Sequence, residues 1–441
     1  NDVKIGDEIN KQSYLNITRL SKEDLKERKA QIVPFTYAEC IPDYVGFKTP
    51  QLISFYNQVK DIYVNFNSKQ EFKINFRGTH YTIAKGGIHS EDPKRILIPT
   101  VNQILRDADI GSQYPNGIRK RKLHPRHLGP EWLEGYNGNI VKRLEAKARY
   151  KKTKNPDDKA IDEAFKLALN GGGFGKTGEP TSWQYDPFVS MSVTIGNQFE
   201  ILMLIEMLEL EDIHVVSANT DGIVCLFDKS KEDTYYRICK EWEVIVGNND
   251  LGQLEYTDYE FYAQTSVNSY IAIKPGTSPI KDRVKTKNEF VYDFELHKNK
   301  SSRIVPLALY EYFVNNKDPK EFILNHRNIY DFCNGVKKKG DWFFTSERID
   351  NGQYVVNNEQ KTLRYYISNR GCKIIKCNPD GRTIQVEAGK WMQTIFNKYE
   401  NKPWDEYDIN YQYYIEKVYS IIDSMQDKQT TSNVGQFELF A

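Results

Sequence analysis

The sequence predicts an α+β fold built on antiparallel strands, and three stretches support this class. Residues 214–227, HVVSANTDGIVCLF, place a polar tetrapeptide between two runs of β-formers, the pattern of a hairpin. Just before them, DPFVSMSVTIGNQFEILMLIEMLEL is apolar on nearly all sides of a helix, as a core element is. Residues 71–90, EFKINFRGTHYTIAKGGIHS, alternate as short strands do.

Length and composition limit the classes of protein that fit. With 441 residues the chain can bury a sizeable core and form about two to four structural units. Its 61 basic and 60 acidic residues leave a net charge of +1, which indicates no class of partner. The six cysteines lack zinc-site spacing and are interpreted as reduced, intracellular thiols.

Targeting signals are also absent from the sequence pattern. No apolar run reaches the roughly 18 residues of a membrane span, and the polar start NDVKIGDEIN is no secretory signal. A soluble, cytoplasmic protein without a membrane partner is therefore expected. Because the chain starts at Asn1 rather than Met, it is interpreted as a fragment or a processed product.

Two basic helices are predicted in the middle of the chain. Residues 118–159 hold thirteen Lys and Arg against five Asp and Glu. Within them GNIVKRLEAKARYKKTK has helix-forming content and ends at a proline. A second helix, KAIDEAFKLALN, is expected to be capped by Asp157 or Asp158 and to end at three glycines from Gly171. An antiparallel pair is the expected result.

Two acids stand out for their surroundings. Asp221 lies in the tetrapeptide NTDG of the hairpin, which an ordinary β-turn also explains. Asp109, in DIGSQYP, follows the apolar segment ILIPTVNQIL. Two carboxylates at adjacent strand ends can hold two Mg²⁺ ions about 4 Å apart, the arrangement of in-line phosphoryl transfer.

Cations for a phosphate chain lie on the basic helices. Lys166 and Asn170 are four residues apart, as are Arg143 and Lys147, so the members of each pair share one helix face. Solvated helix charges are the alternative reading of these positions.

These stretches together resemble the motifs of family B DNA polymerases. DIGSQYP resembles motif A, D-x-x-S-x-Y-P; KLALNGGGFG resembles motif B, K-x₃-N with an aromatic-Gly pair; and NTDG resembles motif C, D-T-D-S. Their order and spacing agree with that family, and the bacteriophage type is expected.

The resemblance implies a right-hand polymerase fold with an antiparallel-sheet palm, helical-hairpin fingers and a mixed thumb. The implied divisions are residues 1–98 before the palm, 99–125 and 178–275 in the palm, 126–177 in the fingers, 276–425 in the thumb and 426–441 in a flexible tail.

The resemblance also implies roles for single residues. Asp109 and Asp221 would be catalytic and bind two Mg²⁺ ions, or Mn²⁺, with the backbone carbonyl of Ile110. Tyr114 would exclude a 2′-hydroxyl. The implied triphosphate contacts are Arg143, Lys147 and Lys166, and the residues beside the nascent base pair are Asn170 and Phe174.

The chain departs from the family pattern in three places. Asn219 stands where motif C has its first Asp, so activity with an altered metal preference is expected. Gly222 replaces a Ser, and motif B has one residue more than usual. No D-x-E exonuclease motif occurs in residues 1–108, so the exonuclease is either a separate portion or lacking.

Further DNA contacts follow from weaker matches. AKGGIHS resembles the Y-x-G-G segment, with Gly86 and Gly87 near the template backbone, although a simple glycine turn explains it about equally well. NSYIAIK resembles the K-x-Y motif through Tyr270. Arg364 and Tyr365 lie in a basic, aromatic stretch that suits phosphate contact or, equally, a plain amphipathic sheet.

The last residues, QFELFA, match the peptide that binds the bacterial sliding clamp. Gln436, Leu439 and Phe440 carry the pattern Q-x-x-L-F at the end of a polar segment with the composition of a disordered tail. An ordinary tail is the alternative.

The expected activity is template-directed addition of dNTPs to a primer 3′-hydroxyl in phage DNA replication, within an infected bacterial host. The expected partners are primer-template DNA, dNTPs and the clamp. Two rivals remain: another palm polymerase, such as a reverse transcriptase, and a catalytically inactive scaffold that binds DNA and the clamp. Asn219 favours the scaffold, and the presence of both Asp109 and Asp221 opposes it.

Overall fold

Two compact units make up the computed structural model, which describes residues 2–30, 32–65, 69–91, 93–248, 251–293, 301–347, 361–395 and 402–426. The first unit consists of residues 2–91 and 99–259, and the second of 93–98 and the described part of 260–426. Both mix helices with antiparallel strands, which confirms the α+β class. The predicted domain boundaries, and the palm, fingers and thumb arrangement, stay predictions.

The first unit contains the elements that carry the predicted motifs. Its helices are α1 Asp2–Thr18, α2 Lys22–Glu27, α3 Tyr37–Cys40, α4 Pro50–Val59, α5 Gln113–Lys120, α6 Pro130–Thr153, α7 Pro156–Leu169, α8 Gly175–Thr177, α9 Pro187–Glu209 and α10 Glu232–Ile245. Its strands are β1 Glu71–Phe76, β2 Thr79–Ala84, β3 Gly87–Ser90, β5 Gln103–Ile110, β6 His214–Asn219, β7 Gly222–Asp228 and β8 Leu254–Asp258.

The second unit alternates short helices and strands. Its helices are α11 Ile280–Arg283, α12 Ile304–Asn315, α13 Pro319–Asn325, α14 Ile329–Phe332 and α15 Tyr411–Gln426. Its strands are β4 Arg95–Leu97, β9 Phe261–Ser266, β10 Ser269–Ile273, β11 Val284–Lys287, β12 Asn334–Lys337, β13 Phe343–Glu347, β14 Thr362–Ser368, β15 Lys373–Cys377, β16 Thr383–Gln385 and β17 Trp391–Ile395.

One large sheet organises the first unit. Within the described residues seven strands pair in the order β1-β2-β3-β6-β7-β5-β8, all antiparallel. One face packs on α9, because Ile104, Ala108 and Ile223 share a core with Phe199 and Leu202 of that helix. The predicted hairpin β6-β7 and the apolar helix are both confirmed.

Helix α9 is long and apolar enough to span a membrane, a property that the sequence analysis missed. In the structure 89% of its apolar window is buried inside the protein, as in the core helix of a soluble protein. The six cysteines, all within the described part, are buried and free of disulfides. Burial raises the pKa of Cys372 to about 11.

The two basic helices are antiparallel, as predicted. Arg149 of α6 pairs with Asp158 of α7, and Arg143, further back along α6, pairs with Asp162, further along α7. The predicted cap is wrong: the side chain of Asn155, not of Asp157 or Asp158, accepts the first hydrogen bond of α7. Pro156 then occupies the first helical position, where a missing N–H costs nothing.

The glycines after α7 do not end the helix. Asn170–Phe174 form a single π-helical turn that continues into α8. A π-turn contains one more residue than an α-turn, which accommodates the additional residue of this motif. Two side chains donate hydrogen bonds to carbonyls at this turn: the Tyr136 hydroxyl to the carbonyl of Leu169, and the Gln184 amide to the carbonyl of Gly172.

Helix α1 packs against this π-turn, which was not predicted. Asn10 donates to the carbonyl of Ala168, and Asp7 accepts hydrogen bonds from Trp183 and Gln184. Gly172 lies so close to α1 that a Cβ there would be 2.3 Å from the backbone carbon of Gly6. The first eighteen residues thus form part of the support of the predicted fingers helices.

Candidate active site

The two predicted carboxylates lie on neighbouring strands of the large sheet. Asp109 is the penultimate residue of β5, and its cross-strand partner on β7 is Gly222, next to Asp221. The backbone N–H of Ile110 donates to the carbonyl of Asp221 at 2.7 Å. Asp109 is half-buried and Asp221 is exposed at the hairpin tip. The fold therefore brings both acids to adjacent strand ends, as predicted.

The hairpin tip has a strained residue beside Asp221. Thr220 has φ +52°, a left-handed conformation that is unusual for a β-branched side chain. Its N–H donates to the carbonyl of Ile88 at 2.8 Å, and its carbonyl accepts from the Gln113 amide at 3.1 Å. Strain of this kind persists where surrounding contacts hold it, often at functional sites. Here those contacts fix the backbone that carries Asp221.

The glycine segment before β3 supports the hairpin from one side. Gly87 is buried with φ +144°, and a Cβ there would lie 2.7 Å from the hydroxyl of Thr220. Gly86 is exposed, and a Cβ there would meet no atom within 4 Å. The contact of both glycines with DNA stays a prediction: the burial of Gly87 fits the alternative of a glycine turn that supports the hairpin, while Gly86 has open space beside it.

Substitution of Gly87 by alanine is expected to displace the tip of the hairpin. The added Cβ clashes with Thr220, and alanine disfavours the positive φ. Because misplacing a catalytic group by about 1 Å can cost about a hundredfold, primer extension should fall by that order. The matched control is Gly86→Ala, which should extend primers at the native rate. Equal rates for the two variants would contradict the supporting role of Gly87.

A row of cross-strand neighbours runs over the sheet at Asp109. Asn219 pairs with Gly222, Gly222 with Asp109, and Asp109 with Glu255 of β8. Directly opposite residues of antiparallel strands share a face, so these positions lie side by side. A Cβ on Gly222 would be 2.4 Å from Oδ1 of Asp109, so glycine here leaves room for the carboxylate.

The donor set at this edge fits Mg²⁺. Carboxylate and carbonyl oxygens are hard ligands, and Mg²⁺ is commonly held by one or two carboxylates, with substrate phosphates and water completing its shell. Across the described residues no cluster of three or more His, Cys, Asp or Glu could hold a metal by itself.

Tyr114 and Phe174 form an aromatic wall next to the carboxylates. Their rings stack at a centroid distance of 4.4 Å and an angle of 25°. Burial, and then the charge of Asp221, raises the pKa of Tyr114, which places its hydroxyl within the field of that carboxylate. Pro115 lies in the first turn of α5, where its missing N–H is not needed.

The predicted cations differ in their surroundings. Arg143 is almost buried; its Nη1 donates to Ser112 and its Nε pairs with Asp162. The Nζ of Lys147 lies 3.9 Å from Oε1 of Glu255. Lys166 is exposed, and its carbonyl accepts a hydrogen bond from the Asn170 side chain at 2.9 Å. Contacts through Ser112 and Glu255 therefore connect Arg143 and Lys147 with the strands that carry the predicted carboxylates. Lys166 and Asn170 contact each other at the end of α7.

Comparison with known proteins finds similarity among solved structures. No protein-family model matches the chain, and no curated protein sequence matches it. The solved structure of the family B DNA polymerase from the hyperthermophilic archaeon Pyrobaculum calidifontis is similar, with a TM-score of 0.42 and 16% sequence identity. The match covers 87% of this chain and 50% of that one.

This chain therefore spans about half the length of that polymerase. A likeness with this TM-score and identity assigns no role to the chain. The neighbour is archaeal, so the bacteriophage type stays a prediction.

The remaining predicted DNA contacts lie in the second unit. Tyr270 on β10 is buried and stacks on Tyr262 at 5.0 Å. Tyr365 on β14 is buried and its hydroxyl donates to Glu387, so the structure favours core packing over the predicted DNA contact of this ring. Arg364 is half-buried on the same strand. The predicted clamp residues Gln436, Leu439 and Phe440 lie outside the described residues.

Two residues of the site had no signal in the sequence. Glu255 is an ordinary acid in GQLEYTDYE, and only the register of β8 with β5 places it beside Asp109. Asp162 is one acid among several on α7, and only the packing of α6 on α7 brings it to Arg143. A pattern confined to one segment does not reveal either contact.

Proposed function

We propose that this chain is the catalytic core of a template-directed DNA polymerase. The placement of Asp109 and Asp221 at one edge of adjacent antiparallel strands supports the proposal most strongly. The stacked pair of Tyr114 and Phe174 beside that edge, and the basic helices α6 and α7, add to it.

The reaction is attack of a primer 3′-hydroxyl on the α-phosphorus of a dNTP. The new O–P bond forms as the bond to pyrophosphate breaks, and the hydroxyl proton is lost. Two Mg²⁺ ions, held by Asp109, Asp221 and the Ile110 carbonyl, would supply a lowered hydroxyl pKa and charge stabilisation. The wall of Tyr114 and Phe174 would exclude a 2′-hydroxyl from the sugar site.

Triphosphate binding is assigned to the basic helices. Arg143 contacts Ser112, three residues after Asp109, and Lys147 contacts Glu255, the cross-strand partner of Asp109. Lys166 is a third candidate cation, on α7. A guanidinium recognises phosphate through several N–H donors, so Arg143 is the main candidate.

The finer identity is also a proposal. A bacteriophage enzyme without an exonuclease in this chain fits the motifs and the absence of an early D-x-E from residues 1–108. Residues 436–440, QFELF, would bind the bacterial sliding clamp and raise the local concentration of primer-template.

Primer extension on a recessed DNA template tests the proposed function. The native chain with dNTPs and Mg²⁺ is expected to extend the primer, and a chelator should stop the reaction. Replacing Mg²⁺ by Mn²⁺ tests whether Asn219 alters the metal preference. Primer-template binding without extension in either metal would contradict the proposal.

A scaffold that binds DNA and the clamp without catalysis is the second candidate. Asn219 favours it, since this position lies in the row of Gly222 and Asp109 and lacks the usual charge. Primer extension by the native chain separates the two candidates, because a polymerase should be active with Asn219 in place, whereas a scaffold should not. Activity that appears only in Asn219→Asp would show that Asn219 is what keeps the chain inactive.

A further inference from the structure

Arg143 is the most buried of the predicted triphosphate ligands. Its side chain is 10% exposed, its Nε lies 3.1 Å from Asp162 Oδ1, and its Nη1 lies 3.0 Å from the Ser112 hydroxyl. These contacts use two of the five N–H donors of a guanidinium. Three donors remain to meet a further anion, and Asp162 already neutralises the charge.

Arg143, on α6, contacts both the segment that follows Asp109 and helix α7. Ser112 follows Asp109 by three residues, whereas Asp162 belongs to α7. Beside the guanidinium is a small cavity lined mainly by the apolar residues Pro115, Ile140, Leu144, Leu169 and Leu251. Apolar surroundings strengthen electrostatic interactions, so removal of the Asp162 carboxylate would leave a costly unpaired charge on Arg143.

A second ion pair on the same helices provides a contrast. Asp158 lies one helical turn before Asp162 on α7, and it pairs with Arg149 at 2.8 Å. The Arg149 side chain is 51% exposed, so water solvates it and the pair contributes little. Asp158 and Asp162 are similarly covered, at 13% and 20% exposed.

We propose that Asp162 is a placeholder anion that occupies Arg143 until the triphosphate of a nucleotide replaces it. This inference rests on the proposed function. A triphosphate carries several charges and many acceptor oxygens, so it outcompetes one carboxylate, whereas a single phosphate has a smaller advantage. Asp162 thereby lowers the affinity of the site for any phosphate ligand by the same factor and sets the nucleotide concentration at which Arg143 is occupied.

The test compares the full native chain with Asp162→Asn and with its matched control Asp158→Asn. Asparagine keeps the shape and removes the competing charge, so Asp162→Asn should bind inorganic triphosphate about tenfold more tightly and show a KM for dNTP about tenfold lower. Because Asp162 acts before chemistry, kcat should stay near the native value. Asp158→Asn should change neither constant.

Thermal melting gives a readout that does not depend on catalysis. Without ligand, Asp162→Asn should melt at a lower temperature than the native chain, because Arg143 is then unpaired. Inorganic triphosphate should raise its melting temperature more than that of the native chain or of Asp158→Asn. Inorganic monophosphate should have a smaller effect.

Unchanged binding and KM in a folded Asp162→Asn chain would overturn the inference. If that variant does not fold, the NMR resonance of the Arg143 Nε in the native chain tests the inference instead. This resonance should shift at saturation with inorganic triphosphate. A constant resonance would refute the exchange of Asp162 for triphosphate. A native chain that binds triphosphate with the predicted differences yet extends no primer would refute only the proposed function. Extension with an unchanged KM in Asp162→Asn would refute only the exchange.

Discussion

Replacement of Asp221 by asparagine is expected to nearly abolish primer extension while the protein stays folded. The change removes one of the two carboxylates at the edge of the sheet and keeps the side-chain shape. Charge stabilisation of several kcal/mol depends on such carboxylates, and about 4 kcal/mol corresponds to about a thousandfold in rate. Asp109→Asn should have an effect of the same order. Single-turnover extension with saturating dNTP measures both.

Stability should change little in Asp221→Asn. Asp221 is exposed, and the contact with the Ile110 N–H uses its backbone carbonyl, which the substitution leaves in place. Surface changes of this kind usually alter the free energy of unfolding by within about 0.5 kcal/mol. Asp61→Asn, in an exposed turn after α4, is the matched control and should extend primers at the native rate.

The ionisation of Tyr114 reports the same geometry without catalysis. The charge of Asp221 opposes ionisation of this phenol, so the pKa of Tyr114 should fall in Asp221→Asn, while burial still keeps it above the ordinary value. Spectrophotometric titration against Tyr114→Phe isolates the signal. Native extension rates in Asp221→Asn would refute the assignment of this carboxylate.

Local patterns predicted the elements of the site well. The hairpin β6-β7, the helix α9 and the antiparallel pair α6-α7 each follow from residues that are neighbours in sequence. Asp109 and Asp221 lie on distant segments, and their proximity was predicted from the resemblance of their two motifs to a known family rather than from a local pattern.

Contacts between distant segments were beyond the sequence patterns. Gly87 and Thr220 lie far apart in sequence, and only the pairing of β3 with β6 explains why one must be glycine. Glu255 faces Asp109 for the same reason of register. For Tyr365 the basic, aromatic strand left DNA contact and a plain amphipathic sheet equally open, and only the packing of β14 in the core of the second unit shows that this ring is buried.

Gly172→Ala is expected to destabilise the predicted fingers strongly for a change of one methyl group. The added Cβ would lie 2.3 Å from the backbone carbon of Gly6 and 2.5 Å from the N of Asp7. Backbone atoms of a packed helix cannot move aside as a flexible side chain can, so α1 must shift away from the π-turn. Overpacking of this kind costs about 1–3 kcal/mol, and lost hydrogen bonds of Asp7 and Asn10 add to it.

The neighbouring glycine is the matched control for this prediction. A Cβ on Gly171 would approach only the side chains of Val3 and Leu167, at 3.4 and 3.6 Å, which is ordinary contact. Alanine also lowers the entropy of the unfolded chain, so Gly171→Ala should be neutral or stabilising by up to about 1 kcal/mol. Equilibrium unfolding in urea measures both variants. Helix α1 packs on the turn that holds Phe174 against Tyr114, so Gly172→Ala should also weaken the exclusion of ribonucleotides. Equal stability of Gly172→Ala and Gly171→Ala would show that α1 does not support this turn.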